Sequence, residues 1–297
     1  MGAITMTSIL TNTGAMIALQ SLQATDNNLS NVQNQISTGL AIQGPSQNAA
    51  VWTVATTMQA NVASLNQVSS DLGNADSILG TAVSGATQIT SLVSQIRAQV
   101  ASYTDTATNQ TATQASVAQL VNQIQATVSS SSFNGVDLLD GTQSNGLTFM
   151  AATNNSYAGG ATSPTITVAN TATANLGTTG TAAAVSAFFT LLTSSGLGAI
   201  TSQTALDGAL STIDSYMSTV QTQASSLGST QSNVSSQQIF VQNLASTFTT
   251  GAGNMVDANM EAESAQLTAL QTQQQLGAQA LSIANQAPQM ILKLFGG

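Results

Sequence analysis

The residues that could perform chemistry in this 297-residue chain are few. It contains 11 Asp and Glu, 2 Lys and Arg, and neither His nor Cys. The usual general base near neutral pH and the usual thiol nucleophile are therefore missing, and metal sites made of imidazole or thiolate cannot form. Serines are abundant, but none has a plausible basic partner that would activate its hydroxyl. We therefore predict no enzyme activity, no cofactor and no metal.

Glu261 and Glu263 are the acidic residues closest together in the sequence. Side chains two residues apart on a helix point in different directions, so these carboxylates cannot face a shared cleft as acid and base. Both lie near the start of a predicted C-terminal helix, where the helix dipole stabilises negative charge. We interpret them as charges that favour the helix start.

The overall charge excludes several classes of partner. Charged residues make up 4% of the chain, against about a quarter in an ordinary globular protein, and the formal net charge is −9. Two basic side chains cannot neutralise a run of phosphates or an anionic lipid surface, so we predict no nucleic-acid partner. There is no stretch of about 18 apolar residues, so we predict no membrane insertion. Residues 1–10 carry no Lys or Arg, and no cleaved secretory signal is predicted.

The N-terminal part of the chain has the apolar spacing of a helix. Large apolar residues recur mostly at helical, heptad-like steps from Ile9 onward, and Gly39, Gly44 and Pro45 interrupt the pattern. The stripe consists of Ile17, Leu22, Leu29, Val32, Ile36 and Leu40.

Longer helical patterns follow on both sides of the middle of the chain. Steps of three and four predict helices over about Asn48–Ser102 and Thr113–Ser130, and helical spacing resumes at about Leu206. Thr250–Gly253 is predicted to break that last segment. The final helix is predicted over about Met255–Gln286, before Pro288 and an apolar tail. Its stripe includes Val256, Met260, Leu267, Leu270 and Leu281, and the tail contains Ile291 and Leu292.

The centre of the chain has a different composition. Asn134-Gly135 is a strong turn dipeptide, and residues 141–201 are rich in Thr, Ala, Gly, Ser and Asn. Within them, Ser163–Val168 alternates like a short strand, and Val185–Leu192 is an apolar run whose type the pattern does not decide. The predicted fold is mainly α: a long antiparallel helical bundle or coiled coil formed by both termini, with a small β-containing or irregular central insert domain.

Both ends of the chain carry motifs of a known family. Residues 8–20, Ile36–Ile42 and Phe133–Val136 near the N-terminal side, and Glu261–Glu263, Gln274–Gly277 and Ile283–Gln289 near the other end, resemble segments of bacterial flagellin of the alphaproteobacterial type. The resemblance covers residues 6–142 and 204–295. Two separate ends that match in the right order make it specific.

The chain also departs from the family pattern. Charges usual near Gly44 are replaced by Gln43–Asn48, and most helix-surface charges are replaced by Gln, Ser, Thr and Asn. Met1–Thr5 precede the usual start, which leaves Met1 and Met6 as alternative first residues. Gly296-Gly297 extends past the usual end.

The resemblance implies a division into five parts. Residues 1–45 and 255–297 correspond to the inner-tube helices of a filament, and residues 46–142 and 204–254 to the outer-tube helical domain. Residues 143–203 correspond to a solvent-facing insert. The Ser and Thr of that insert are candidate sites for O-linked glycan.

The resemblance also implies a function. Such a chain is a structural subunit that polymerises with copies of itself into the bacterial flagellar filament for swimming motility. It is exported outside the cell without a cleaved signal peptide. Its further implied partners are the flagellar cap, the hook–filament junction proteins, the export apparatus and a flagellin chaperone. A hook–filament junction protein is the alternative reading, and a Ser/Thr-rich surface-layer or adhesin subunit is a more distant one.

Residue roles follow from the same resemblance. The two apolar stripes, from Ile17 to Leu40 and from Val256 to Leu292, are expected to pack between subunits. Gln95, Ile96, Arg97 and Val100 correspond to an outer-tube contact face, which an innate Toll-like receptor reads in some flagellins. Gln95 and Ala98 differ from the recognised pattern, so we expect weak or no receptor activation. The scarcity of ion pairs also suggests a filament suited to acidic surroundings.

Overall fold

The computed structural model describes residues 12–102, 107–141, 147–151, 165–168, 176–177 and 183–295. Within these ranges the chain is mainly helical, which confirms the predicted fold class. Its elements in order are α1 (Thr13–Thr38), α2 (Pro45–Ala101), α3 (Ala107–Ser130), β1 (Ser132–Phe133), β2 (Val136–Asp137), β3 (Leu147–Met150), β4 (Thr165–Val168), α4 (Ala183–Leu191), α5 (Ser194–Gly198), α6 (Gln203–Val256) and α7 (Met260–Phe295).

The chain divides into two compact units. Residues 1–60 and 248–297 form what we call the terminal unit, and residues 61–247 form the central unit. Helices α2 and α6 contribute residues to both units. The predicted five-part division assigns residues to positions in a filament. The two units of a single chain do not test that assignment, so it stays a prediction.

Helix α1 has clear start and stop signals. Asn12 lies at its N-cap and accepts a hydrogen bond from the Ala15 N–H through its side-chain oxygen, at 3.0 Å. Gly39 at the C-cap has φ of 73°, a left-handed conformation that glycine adopts without steric cost, and its N–H bonds the Gln35 carbonyl. The predicted interruption at Gly39 is therefore confirmed.

The break between α6 and α7 lies later than predicted. Helix α6 continues through Thr250–Gly253 to Val256, and α7 starts at Met260. A glycine inside a helix costs only about 1 kcal/mol, and buried Ala252 and Val256 offset that cost by packing. The prediction of a break at Thr250–Gly253 and of a helix start at Met255 was wrong for this reason.

The segments after α1 and α6 bond each other instead of extending their helices. Leu40 and Asp257 form an isolated antiparallel bridge. The Ala41 N–H donates to the Val256 carbonyl at 2.7 Å, and the Ala258 N–H donates to the Gly39 carbonyl at 2.9 Å. These long-range bonds satisfy backbone groups that a helix end leaves free, so tertiary contacts set the break.

Helix α2 contains a kink near its start. Asn48 is non-helical, with φ of −157° and ψ of 99°, and its side-chain oxygen accepts from the Val51 N–H at 3.2 Å. This is an N-cap arrangement for the long part of the helix. The predicted start at about Asn48 agrees with this cap, although Pro45–Gln47 add a preceding turn.

In the central unit, the apolar positions of α2, α3 and α6 form the core. The largest fully buried side chains described all lie in this unit: Leu65, Leu72, Leu79, Ile89, Ile96, Ile124, Leu138, Leu139, Leu176, Phe188, Leu197 and Tyr216. Helix α3 begins at Ala107, six residues before its predicted start at Thr113, because Ala, Thr, Asn and Gln continue the helix without large apolar side chains.

Small residues allow helices α2 and α6 to approach closely in antiparallel register. A Cβ atom placed on Gly73 would lie 3.3 Å from Gln238 Nε2, and one on Gly80 would lie 3.2 Å from Gln231 Nε2. Gln238 Nε2 also donates to the Ser69 carbonyl at 3.3 Å. Between these two helices, side-chain amides therefore make the polar contacts that charged pairs often make.

Hydroxyl groups on the helices bond mostly within their own helix. Thr53, Thr87 and Thr247, among many others, each donate to the carbonyl four residues earlier, at 2.7–2.9 Å. Such bonds satisfy the hydroxyl locally and make no contact with another element. A chain so rich in Ser and Thr can therefore remain helical with 4% charged residues.

The described parts of the insert contain both strands and helices. β3 pairs with β4 in antiparallel register, with Leu147 opposite Val168 and Met150 opposite Thr165. This confirms the strand expected at the end of Ser163–Val168, while Ser163 and Pro164 lie outside the described residues. The apolar run Val185–Leu192 falls mostly on α4.

Candidate functional site

The two terminal helices α1 and α7 pack against each other in antiparallel orientation. Gln274 Nε2 donates to the Asp26 carboxylate at 2.8 Å. One turn further on, a Cβ atom placed on Gly277 would lie 3.2 Å from Leu22 Cδ1. Because Gly277 has no side chain, Leu22 can pack directly against the backbone of α7.

The predicted stripe residues lie mostly along this pair. Leu22, Leu29, Ile36, Leu40, Leu267 and Leu281 are half-buried, and Val32, Val256 and Leu270 are buried. Ile17 and Met260 are exposed, and the side chains of Ile291 and Leu292 lie outside the described residues. Much of the stripe is thus covered within one chain, and its role between subunits stays a prediction.

Several large apolar residues on the same helices remain uncovered, including Ile17 of the stripe. Met16, Ile17 and Leu19 on α1 are 65%, 68% and 45% exposed, and Leu276 and Ile283 on α7 are 58% and 68% exposed. Burying one such side chain is worth about 1.5–3 kcal/mol. Several large exposed apolar side chains on one helix pair make this surface a candidate for contact with another molecule.

Glu261 and Glu263 lie in the first turn of α7, as the sequence predicted. Asn259 precedes them, and its side-chain oxygen accepts from the N–H groups of Glu261 and Ala262, at 3.1 and 3.2 Å. Glu263 Oε2 is buried without a hydrogen-bond partner among the described residues. The helix start is therefore both capped and negatively charged, which favours α7 electrostatically.

The residues predicted as an outer-tube face lie on α2 in the central unit. Ile96 and Val100 are fully buried, so they belong to the core rather than to a surface, while Gln95 is exposed. Arg97 Nε donates to Asp214 Oδ1 on α6 at 2.7 Å, and Nη2 donates to Oδ2 at 3.3 Å. The hydrogen bond and the charge of Asp214 raise the pKa of Arg97 above its usual value.

The comparison with known proteins matches both ends of the chain. The bacterial flagellin N-terminal helical region matches residues 9–144, and the bacterial flagellin C-terminal helical region matches residues 210–295. The chain belongs to the bacterial flagellin family. The two matched regions contain α1 to β2 and nearly all of α6 and α7, which are the elements that build the terminal pair and most of the central helical core.

Curated flagellins match along almost the whole chain. Flagellin FljK of Caulobacter vibrioides is 35% identical over 293 residues, which are 98% of this chain and 99% of that protein. A flagellin of Brucella melitensis is 36% identical over 293 residues, covering 98% of this chain and all of that protein. Flagellin C of Rhizobium meliloti is 34% identical over 319 aligned residues, with 98% and 99% coverage. The alphaproteobacterial resemblance is confirmed, and this flagellin is a structural subunit of the flagellar filament.

The Asn134-Gly135 turn of this flagellin is confirmed as a two-residue hairpin loop. Phe133 pairs with Val136 on either side of it. Asn134 and Gly135 have φ of 51° and 79°, the positive values that this type of tight turn requires. Its role is structural, as predicted from the dipeptide alone.

An aromatic cluster that the sequence did not predict holds the insert against α6. Tyr216 on α6 stacks on Phe188 of α4 with ring centroids 4.0 Å apart, and its hydroxyl donates to the Leu176 carbonyl at 2.7 Å. The Leu176 N–H donates to the Leu139 carbonyl at 2.9 Å. Burial raises the pKa of Tyr216 above its usual value. The apolar run that contains Phe188 was the only signal of this cluster in the sequence.

Within the described ranges the protein contains neither a carboxylate cluster for a metal ion nor a membrane-spanning helix. No cluster of three or more Asp or Glu side chains there could hold a metal ion. None of the helices in the described ranges is both long and apolar enough to cross a membrane.

Proposed function

We propose that this flagellin joins the filament chiefly through its terminal unit. Two sets of side chains supply the contacts between subunits. The first is the apolar set left uncovered on α1 and α7: Met16, Ile17, Leu19, Leu276 and Ile283. The second is the predicted stripe, whose half-buried members still offer part of their surface to a neighbour.

The observation that carries this proposal is the uneven burial of α1 and α7. Among the described residues of these two helices, only Val32 and Leu270 are buried apolar side chains, at 3% and 7% exposure. Two paired helices with so little burial do not offset the entropy of ordering their residues. Neighbouring copies supply the missing apolar contact, so ordering of the pair and assembly occur together.

The geometry of such contacts favours an open polymer. We infer that the exposed set on α1 and α7 contacts the half-buried stripe of a neighbouring copy, which is a different surface. Contacts that join different surfaces and do not close on themselves generate a helical filament. A structural role of this kind needs no catalytic group, and we infer that the chain is not an enzyme.

The remaining partners belong to the same proposal. The subunit is exported outside the cell without a cleaved signal, with help from the export apparatus and a chaperone. It then adds next to the cap and joins the hook through junction proteins. The absence of Cys supports this route, because no disulfide can form that would block threading of an unfolded chain.

Assembly of variants tests the role of the exposed apolar set. Ile17→Ser combined with Ile283→Ser removes two apolar side chains that are each 68% exposed, so the fold of the monomer is expected to persist. We expect the critical concentration for filament formation to rise at least tenfold, measured by sedimentation and electron microscopy. Each buried side chain contributes enough free energy for this change.

The matched control is Ile17→Val combined with Ile283→Val, which retains apolar side chains at both positions. This variant is expected to assemble within about twofold of the wild type. Equal assembly of the Ser and Val variants, with circular dichroism unchanged in both, would show that these side chains do not lie between subunits.

A further inference from the structure

The side chain of Asn12 joins the start of α1 to the far end of α7. Its Oδ1 accepts from the Ala15 N–H at 3.0 Å and so caps α1. Its Nδ2 donates to the Ala284 carbonyl at 2.8 Å, across a sequence separation of 272 residues. One amide group therefore uses its acceptor on its own helix and its donor on the partner helix.

The carbonyl that Asn12 bonds is one that α7 cannot satisfy in the usual way. In an α-helix the Ala284 carbonyl accepts from the N–H of residue 288. Residue 288 is Pro, which has no N–H, yet α7 continues through it to Phe295. The sequence predicted that the helix would stop at about Gln286. The bond from Asn12 replaces the missing one, and this gives a physical reason why the helix continues.

We propose that Asn12 is a positioning residue that fixes the register of α1 on α7 by bonding the carbonyl that Pro288 leaves free. Pro288 leaves a single carbonyl of α7 free, that of Ala284. A bond to this carbonyl therefore distinguishes one register of α1 on α7 from the others. This inference rests on the proposed function, because register matters most when the pair must present the same surface to every neighbouring subunit.

The apolar stripe alone does not set that register. Leu22, Leu29 and Ile36 recur every seven residues, so a slide of seven residues along α7 brings each into the place of the next. Such a slide separates Asn12 from the Ala284 carbonyl by about 10 Å, because each residue of a helix adds about 1.5 Å. It also breaks the bond between Gln274 and Asp26. Polar bonds thus distinguish registers that apolar packing makes similar.

A double-mutant cycle tests the link between the two residues. Asn12→Ser keeps a good N-cap acceptor for α1 but lacks the donor that reaches Ala284. In the full-length protein we expect it to raise the critical concentration for assembly about fivefold, the typical value of one hydrogen bond. Pro288→Ala restores a backbone N–H for the Ala284 carbonyl. In that background Asn12→Ser is expected to change the critical concentration less than twofold.

Asn27→Ser is the matched control, because Asn27 is an exposed residue of the same helix and the same substitution there removes no interhelical bond. An equal cost of Asn12→Ser in the wild-type and Pro288→Ala backgrounds would overturn the proposal, since Asn12 would then act only as a cap.

Amide hydrogen exchange of the same four proteins separates this inference from the proposed function. If Ile17→Ser combined with Ile283→Ser assembles like the wild type, the proposed function fails, but the register proposal still predicts faster exchange at the start of α1 in Asn12→Ser. Pro288→Ala is expected to restore that protection in the double variant. Unchanged exchange at residues 13–18 in every variant would overturn the register proposal on its own.

Discussion

The terminal unit and the central unit are both built from long helices, yet they bury their side chains very differently. In the central unit, α2, α3 and α6 bury many Leu, Ile and aromatic side chains completely, although Ile239 and Phe240 on α6 are 57% and 54% exposed. In the terminal unit, α1 and α7 pair along a narrow stripe and leave six large apolar side chains 44–68% exposed. A three-helix arrangement covers each apolar stripe on two sides, whereas a two-helix pair covers it on one.

This difference separates the stability of the monomer from the stability of the polymer. The central core supplies apolar burial within one chain. The terminal pair has specific bonds, at Asn12 and between Gln274 and Asp26, but little apolar burial. Polar bonds define how two helices fit together and contribute modestly to net stability. We therefore expect neighbouring subunits to supply much of the stability of the terminal pair.

The largest expected effect compares one substitution in both units. Leu79→Ala empties a fully buried site in the central unit and is expected to lower the free energy of unfolding of the monomer by about 3 kcal/mol. Leu22→Ala changes a half-buried position of α1 and is expected to lower the free energy of unfolding by less than about 1 kcal/mol. Urea denaturation followed by circular dichroism measures both changes.

The same two variants should reverse their order in assembly. Leu22→Ala is expected to raise the critical concentration more than Leu79→Ala, provided that both are assayed where the monomer is folded. If Leu22→Ala destabilised the monomer as much as Leu79→Ala, the terminal pair would contribute to monomer stability as much as the central core does.

A smaller effect is expected from the bond that fastens the insert. Tyr216→Phe keeps the ring that stacks on Phe188 but removes the donor to the buried Leu176 carbonyl. Leaving that carbonyl unpaired is expected to cost about 1–2 kcal/mol. Thermal unfolding of the monomer measures this loss, and the critical concentration should stay unchanged. A change in assembly without a change in unfolding would place Tyr216 in a subunit contact instead.

The pH dependence of the central unit is expected to be weaker still. Burial is the main cause that raises the pKa of Asp137, and the charge of Asp140 adds to it. A carboxyl whose pKa is raised by folding stabilises the protein most below its unfolded-state pKa of about 3.9, and this stability is lost as pH rises through the folded-state value. The free energy of unfolding should therefore fall slightly as pH rises above about 4.

Asp137→Asn is the variant that isolates this slope. Its amide oxygen can still accept from the Leu139 N–H, which bonds the Asp137 carboxylate at 2.8 Å, but the side chain no longer titrates. We expect a flatter dependence on pH in chemical denaturation between pH 4 and 7, with the wild type as reference. A slope that is the same in both proteins would assign the pH dependence to other groups.

The ion pair of Arg97 and Asp214 is expected to matter less than any of these contacts. Both side chains are about half-exposed, at 47% and 48%, and exposed pairs of this kind contribute little to stability. Arg97→Gln should leave the melting temperature almost unchanged, and any difference should vanish at about 1 M salt, where the Debye length is about 3 Å. A loss comparable to that of Leu79→Ala would show that the pair has a role in the core.

No loss of assembly is expected in acid. Apolar contacts in the terminal unit do not titrate, and the Asp26 carboxyl that accepts from Gln274 keeps an acceptor oxygen when it is protonated. The net charge nevertheless moves from −9 toward about +2 as the carboxylates protonate. We therefore expect filaments formed at pH 7 to persist at pH 3 in electron micrographs. Dissolution at pH 3 with recovery at pH 7 would show that charged groups control assembly.

Local signals in the sequence were read correctly where a single element decides its own structure. Gly39 ends α1 because only a left-handed residue fits that cap, and Asn134-Gly135 turns because both residues accept positive φ. The stripe on α7 was also predicted, since helical spacing alone determines which positions share a face. In the structure, Leu267, Leu270 and Leu281 are half-buried or buried, whereas Met260 at the start of α7 is exposed.

By itself, then, the sequence determined that this chain is helical at both ends, where the helix faces lie and which family it belongs to. The tertiary structure decided where α6 stops, why α7 passes through Pro288 and how the insert is fastened. Each of these depends on a bond between residues far apart in the chain: Leu40 with Asp257, Asn12 with Ala284, and Tyr216 with Leu176. Periodicity and turn dipeptides report only on neighbours along the chain, so partners of this kind become visible only once the chain has folded.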